Sequence, residues 1–203
     1  MIITSHLAWH HLPKTAGTTT DRLFIASGLP LLWHDSQSSP IKHLPADDHP
    51  EAACLPLAGK QAVANFRRLP SWLLSNFQHK QTLMGLDIDA EPMRRGLFWR
   101  KRQQQWLPAD WWLERFGIDD GWTLLRVEQL KTDFLACLAQ HEPIGRRARW
   151  RVRFVQALNR NSYARDLSEW FTVDDLQVVY AANPRWAALE QRLYGHLLSS
   201  FGS

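Results

Sequence analysis

The chain has 203 residues, 45% hydrophobic and 22% charged, an ordinary globular composition that excludes a mainly disordered polymer. Its 24 Lys and Arg against 20 Asp and Glu leave a net charge of +4, which suits an anionic ligand but falls short of the dense basic stripe of a nucleic-acid binder. No apolar run approaches the roughly 20 residues of a membrane helix, Met1 to His6 lacks the pattern of a cleaved signal, and two cysteines, Cys54 and Cys137, cannot build a disulfide framework.

A reducing, cytoplasmic compartment is therefore expected, with no membrane span and no nucleic-acid partner. Ile2 to Leu12 reads as a strand of partly alternating apolar residues, broken at Pro13. From Thr18 the pattern turns helical, with Leu23, Phe24 and Ile25 inward and Gly28 as the stop. Pro30 to Trp33 predicts a second strand, and Asp35 to Pro50, punctuated by Ser, Pro and Asp, a loop. Ala62 to Phe66 predicts a third strand, followed after Pro70 by an amphipathic helix to about His79. Residues 90 to 117 read as helical in pieces and carry many of the eleven tryptophans. Trp122 to Val127 is a further strand and Lys131 to Gln140 a helix. From Gly145 onward the chain reads as helices, the last two separated at Asn183-Pro184. Strands alternating with helices predict an α/β class, a three-layer fold with a central parallel sheet and a helix-rich C-terminal part. No boundary stands out, so one domain over residues 1–203 is expected.

The segment His11-Leu12-Pro13-Lys14-Thr15-Ala16-Gly17-Thr18-Thr19-Thr20, between a strand and a helix, is the strongest chemical feature. A tight turn at a helix N-terminus aims several N–H groups at one point, where the helix dipole also favours an anion. Gly17 permits close approach, the threonine hydroxyls add donors, and Lys14 adds a point charge. It is not a nucleoside-triphosphate loop of the G-x-x-x-x-G-K-[ST] form, because Lys14 precedes the segment's only glycine. Most tryptophans are expected in the core, while Trp111-Trp112 and Trp99/Trp106 could line an acceptor pocket or a partner surface.

Pro13 to Thr19 resembles the phosphosulfate-binding loop of sulfotransferases that use 3′-phosphoadenosine 5′-phosphosulfate (PAPS). With His11 in front, it is most similar to the carbohydrate-type and bacterial members. The resemblance implies a P-loop-NTPase-like sulfotransferase fold, with Lys14, Thr15, Ala16, Gly17, Thr18 and Thr19 around the 5′-phosphosulfate and Lys14 aiding the leaving group. A second element resembles the family's 3′-phosphate site, a strand, an Arg, and a Ser eight residues on at the start of a helix. Here Arg67 and Ser75 keep that spacing, with Arg68 as the alternative arginine. A third, Pro40-Ile41-Lys42-His43-Leu44-Pro45, resembles the His-Leu-Pro segment that supplies the catalytic histidine; His34, beside Asp35, is the rival base. A fourth, Leu124 to Leu130 followed by Asp133, resembles a strand-to-helix link and is read as structural. Asn161-Ser162-Tyr163 and Asp166 to Phe171 loosely resemble bacterial members. Arg146, Arg147 and Arg149 could replace the family's missing adenosine-binding signature, or form the solvated face of a helix.

The resemblance thus implies an enzyme that transfers a sulfuryl group from PAPS to a hydroxyl or amine of a small-molecule or carbohydrate acceptor. His43 would act as base, Lys14 would be catalytic beside it, adenosine 3′,5′-bisphosphate (PAP) would be the product, and no metal would take part. The alternatives are a P-loop-type nucleotide kinase and a non-catalytic nucleotide-binding or interaction module. A base near the sulfate separates the enzyme from the module.

Overall fold

In the computed structural model, which describes residues 1–156 and 166–201, the elements begin β1 (Ile2–Ile3), β2 (Leu7–His10), α1 (Gly17–Ser27), β3 (Trp33–His34), β4 (Gln61–Phe66) and α2 (Leu69–Gln78). They continue with α3 (Glu91–Arg94), β5 (Leu97–Arg100), β6 (Gln105–Pro108), α4 (Asp110–Phe116) and β7 (Thr123–Arg126). Helices α5 (Leu130–His141), α6 (Arg146–Phe154), α7 (Val173–Ala181) and α8 (Pro184–Tyr194) follow. The chain divides into two compact units, Met1–Phe66 with Ile118–Arg160, and Arg67–Gly117 with Asn161–Ser203.

The first unit is built on a five-stranded sheet of order β3-β1-β2-β4-β7. β2, β4 and β7 are parallel, with Trp9 opposite Val63 and Ala64 opposite Leu124. The α/β class therefore holds, but the sheet is mixed rather than wholly parallel. β1 runs antiparallel to both β2 and β3. The cause is a turn inside the predicted first strand: the Thr4 N–H donates to the Leu7 carbonyl at 2.9 Å and the Leu7 N–H to Thr4 Oγ1 at 3.1 Å, folding Ile2 to His10 into a hairpin.

Alternation along these strands sorts their side chains. Ile2, Leu7, Trp9, Val63 and Leu125 join Leu23 and Phe24 of α1, Leu130, Phe134 and Leu138 of α5, and Val152 of α6 in one core. Met1, Ile3 and Ala8 point the other way, to a smaller cluster with Leu55, Trp33, Ala46 and Leu57. At the end of β7, Arg126 grips Asp133 in a two-pronged ion pair at 2.8 and 2.9 Å, and Asp133 also accepts the Arg126 N–H. That pair makes the link from strand to helix rigid.

The second unit is mostly helical. Trp72 of α2 and Trp186 of α8 are fully buried with ring centroids 4.9 Å apart, and Phe98 of β5 packs 5.5 Å from Trp72. Buried carboxylates cap its helices. Asp110 accepts the N–H groups of Arg185 and Trp186 at 2.8 Å each, and Glu190 accepts those of Leu69 at 2.7 Å and the Tyr180 hydroxyl at 2.8 Å. The stretch predicted as helical pieces contains an antiparallel hairpin, β5–β6, whose cross-strand pair is Trp99 and Trp106 at 5.4 Å. Arg100 lies over the Trp111 and Trp112 rings at 4.6 and 4.9 Å, so this tryptophan pair stacks with a cation of its own unit. Cys54 is exposed and Cys137 buried, both as free thiols. Among the described residues, no helix is long and apolar enough to cross a membrane.

Candidate functional site

Residues 11–16 carry the chain from the carboxyl end of β2 to the first turn of α1, the end of a parallel sheet at which ligand sites gather. Two residues with side chains hold left-handed backbone there, Lys14 at φ 64° and Ala16 at φ 63°. Each such conformation costs on the order of 1–3 kcal/mol and persists only where its surroundings enforce it. Left-handed residues at alternate positions turn successive N–H groups inward, making a concavity for an anion. Ala16 provides α1 with no side-chain cap, and the first turn holds no acidic residue. No acidic side chain of that turn offsets the positive end of the helix.

Buried hydrogen bonds enforce the loop. Thr15 Oγ1 donates to the Leu12 carbonyl at 2.6 Å, so its hydroxyl is engaged inside the loop. Asn65, fully buried on β4, donates through Nδ2 to the Thr15 carbonyl and to Thr20 Oγ1, both at 2.6 Å, and accepts from Trp9 Nε1 at 3.1 Å. One amide therefore ties β2, the loop and α1 together. Asn65→Leu would strand the Trp9 indole N–H and the Thr15 carbonyl without partners. We expect it to lower stability by about 3 kcal/mol, read as a shift of the urea midpoint. An unmoved midpoint would show that the bracket contributes nothing.

Two imidazoles stand beside the loop. The His11 ring is 4% exposed, and its Nδ1 has no hydrogen-bond partner. It packs edge-on to His43 at 4.3 Å and lies 5.1 Å from the Trp9 ring. Its Nε2 edge presses on Gly17 so closely that a Cβ built there would fall 1.7 Å away. Burial, foremost, holds the His11 pKa well below the usual imidazole value. His43 ends a 3₁₀ turn, Pro40–His43, and its Nδ1 lies 3.2 Å from the His11 carbonyl oxygen. A carbonyl only accepts, so Nδ1 carries the proton and Nε2 keeps a lone pair. Burial, again foremost, brings the His43 pKa down to about 4, with Lys42 and Lys14 adding their repulsion. The rival, His34, is exposed, and its Nε2 meets Asp21 Oδ1 of α1 at 2.5 Å, an oxygen that also accepts from Gln37 at 3.1 Å.

In the second unit the two arginines separate. The Arg68 guanidinium binds Glu190 at 3.0 Å and the His196 carbonyl at 3.2 Å, and lies 4.2 Å from the centre of the Tyr194 ring. It is committed to its own unit. Arg67 uses its carbonyl to accept the Trp186 indole N–H at 3.0 Å. Ser75 departs from expectation. α2 begins at Leu69, ahead of Pro70, so Ser75 falls in its second turn rather than at its start, and it is buried.

No protein-family model, curated protein or solved structure matches this chain.

The geometry brings Lys14 to Thr19 and His43 together in the first unit. Asn65 and His11 escaped the sequence reading of roles. Asn65 is the one amide in the apolar run Ala62 to Phe66, with no pattern to mark it. His11 stood inside the motif, but only the folded loop brings its ring against Gly17. Asn161, Ser162 and Tyr163 lie outside the described residues. A cavity of about 400 Å³ opens elsewhere in the first unit, lined by His6, Lys60, Gln61 and His141 at the amino ends of the parallel strands. The loop and its histidines do not line it.

Proposed function

We propose that the chain is a PAPS-dependent sulfotransferase acting on a hydroxyl or amine of a small-molecule or carbohydrate acceptor. The observation that carries this reading is the loop itself: two left-handed residues, Lys14 and Ala16, ahead of a helix whose N-cap residue offers no side-chain acceptor, with a neutral imidazole beside it. Such a cradle suits a sulfate or phosphate end. The amides of Thr15 to Thr18 would hold the equatorial oxygens, that of Thr19 donating to the Ala16 carbonyl at 2.9 Å, and Lys14 would neutralise charge on the leaving phosphate. His43 Nε2 would take the proton of the acceptor hydroxyl as its oxygen bonds to sulfur and the donor's phosphate oxygen departs. In-line transfer of this kind is governed by positioning and charge more than by covalent chemistry.

The family resemblance gives the 3′-phosphate to Arg67 and Ser75. Arg67 is the arginine that keeps the family's spacing to Ser75, while the Arg68 guanidinium is bound to Glu190. Ser75, buried within α2, is the weaker donor of the two. The test is calorimetric binding of PAP against 5′-AMP and ATP. We expect PAP to bind at least about 10-fold more tightly than AMP, and Lys14→Ala or Arg67→Ala each to weaken it by about 10-fold or more. Equal binding of AMP would sink the reading, and preference for ATP with Mg²⁺ would favour a kinase.

A further inference from the structure

Helix α6 carries five arginines and no acidic residue in nine positions, more positive charge than the net +4 of the whole chain. Only Ala148 and Val152 are buried, and Val152 sits in the core made with α1 and α5. At 3.6 residues per turn, the direction opposite these two belongs to Trp150 and Phe154. They are 63% and 65% exposed, and their rings pack on each other at 4.4 Å. On the helical projection Arg146 and Arg153 border this ridge on one side, and Arg147 and Arg151 on the other; all are exposed. The helix is fixed in place: Arg151 Nε donates to the Ala26 carbonyl of α1 at 2.9 Å, and Lys131 Nζ of α5 to the Arg153 carbonyl at 2.8 Å.

We infer that α6 is a docking helix that seats the protein on an anionic lipid surface. An aromatic ridge flanked on both sides by arginines matches a bilayer interface in chemistry and in layout. Indole and phenyl groups settle at headgroup depth, and guanidinium groups beside them meet lipid phosphates and carboxylates. The ridge is convex and fits a surface rather than a groove. Its two rings are tilted against each other with centroids 4.4 Å apart, so they do not form one flat platform for successive nucleic-acid bases. The helix would lie in the plane of the interface. This inference does not rest on the donor-site reading: of α6 only Arg146, Arg147 and Arg149 are candidate adenosine contacts, and Trp150, Arg151, Arg153 and Phe154 have no part in that reading.

The test is sedimentation of the full chain with sucrose-loaded vesicles, either phosphatidylcholine alone or with about 30% phosphatidylserine, in about 0.1 M NaCl. Binding is expected to the anionic vesicles only and to fall as salt rises. Each arginine removed should reduce partitioning by about five-fold, so Arg151→Gln/Arg153→Gln, one from each side of the ridge, should lose about 25-fold. Trp150→Ser/Phe154→Ser should lose at least about 10-fold. Arg94→Gln/Arg95→Gln, a basic pair of the second unit, should change little. Both ring positions are exposed, so urea midpoints should stay in place; Trp150→Gln alone repeats the test if the double variant unfolds. Absence of sedimentation with anionic vesicles, or its survival in the ring variant, overturns the proposal. Tighter binding of a single-stranded oligonucleotide, lost in the same variants, also overturns it and assigns the ridge to nucleic acid.

Discussion

Replacing His43 with alanine is expected to lower kcat by about 10²- to 10⁴-fold, while PAP still binds within about two-fold of the parent. The argument begins with the tautomer. His43 Nδ1 must hold its proton to donate to the His11 carbonyl, so the lone pair sits on Nε2. Burial then keeps the ring neutral, with its pKa down at about 4. The acid limb of kcat/KM, which reports the free protein, should therefore fall near pH 4 rather than near 6.5. A bound sulfate or phosphate favours the protonated ring, so the acid limb of kcat should lie higher. His34→Ala is the comparison. Its ring faces Asp21 rather than the loop, and its loss should cost less than about 10-fold. An acid limb near 6.5 that persists in the His43 variant would remove His43 as the base.

The same burial makes acid a threat to the fold. His10 and His43 both have pKa values lowered to about 4, and that of His11 is held well below normal, in each case chiefly by burial. The unfolded chain binds protons at these rings near pH 6.5, where the folded chain does not. Their contribution to stability is therefore fully present above about pH 6.5 and is lost as pH falls toward 4.

What the sequence made legible follows from how local each signal is. α1 and its stop at Gly28, which adopts φ 70°, were written in apolar spacing and one residue. The break at Asn183-Pro184 was equally local, since Pro184 opens α8 and cannot continue a preceding helix. The hairpin in Ile2 to His10 was not legible, because its turn, Thr4-Ser5-His6, lacks the glycine or asparagine that marks tight turns. β5 and β6 are four residues each, too short for alternation to outweigh the helix-forming Arg, Lys and Gln between them. In the site, the loop could be read as a run of residue types. The Asn65 bracket and the place of the His11 ring could not, because both depend on contacts between segments distant in sequence or folded back on themselves.

Gly17→Ala should be the most damaging single-methyl change in the first unit. A Cβ there would lie 1.7, 2.2 and 2.3 Å from Nε2, Cδ2 and Cε1 of His11, distances that no side chain tolerates. The ring has little room to retreat, being held between Trp9 and His43 and almost wholly buried. Overpacking of this severity costs about 3 kcal/mol, and any relief must move His11, the residue whose carbonyl orients His43. The variant is therefore expected to lose stability and PAP binding together. The deciding experiment is the cycle with His11→Ala. Removing the ring opens the space that the new methyl needs, so the double variant should be more stable than Gly17→Ala alone by about 1–2 kcal/mol, a strongly non-additive result. If the two changes simply add, the His11 ring is not what excludes a side chain at position 17, and the glycine is required for close approach of the ligand alone.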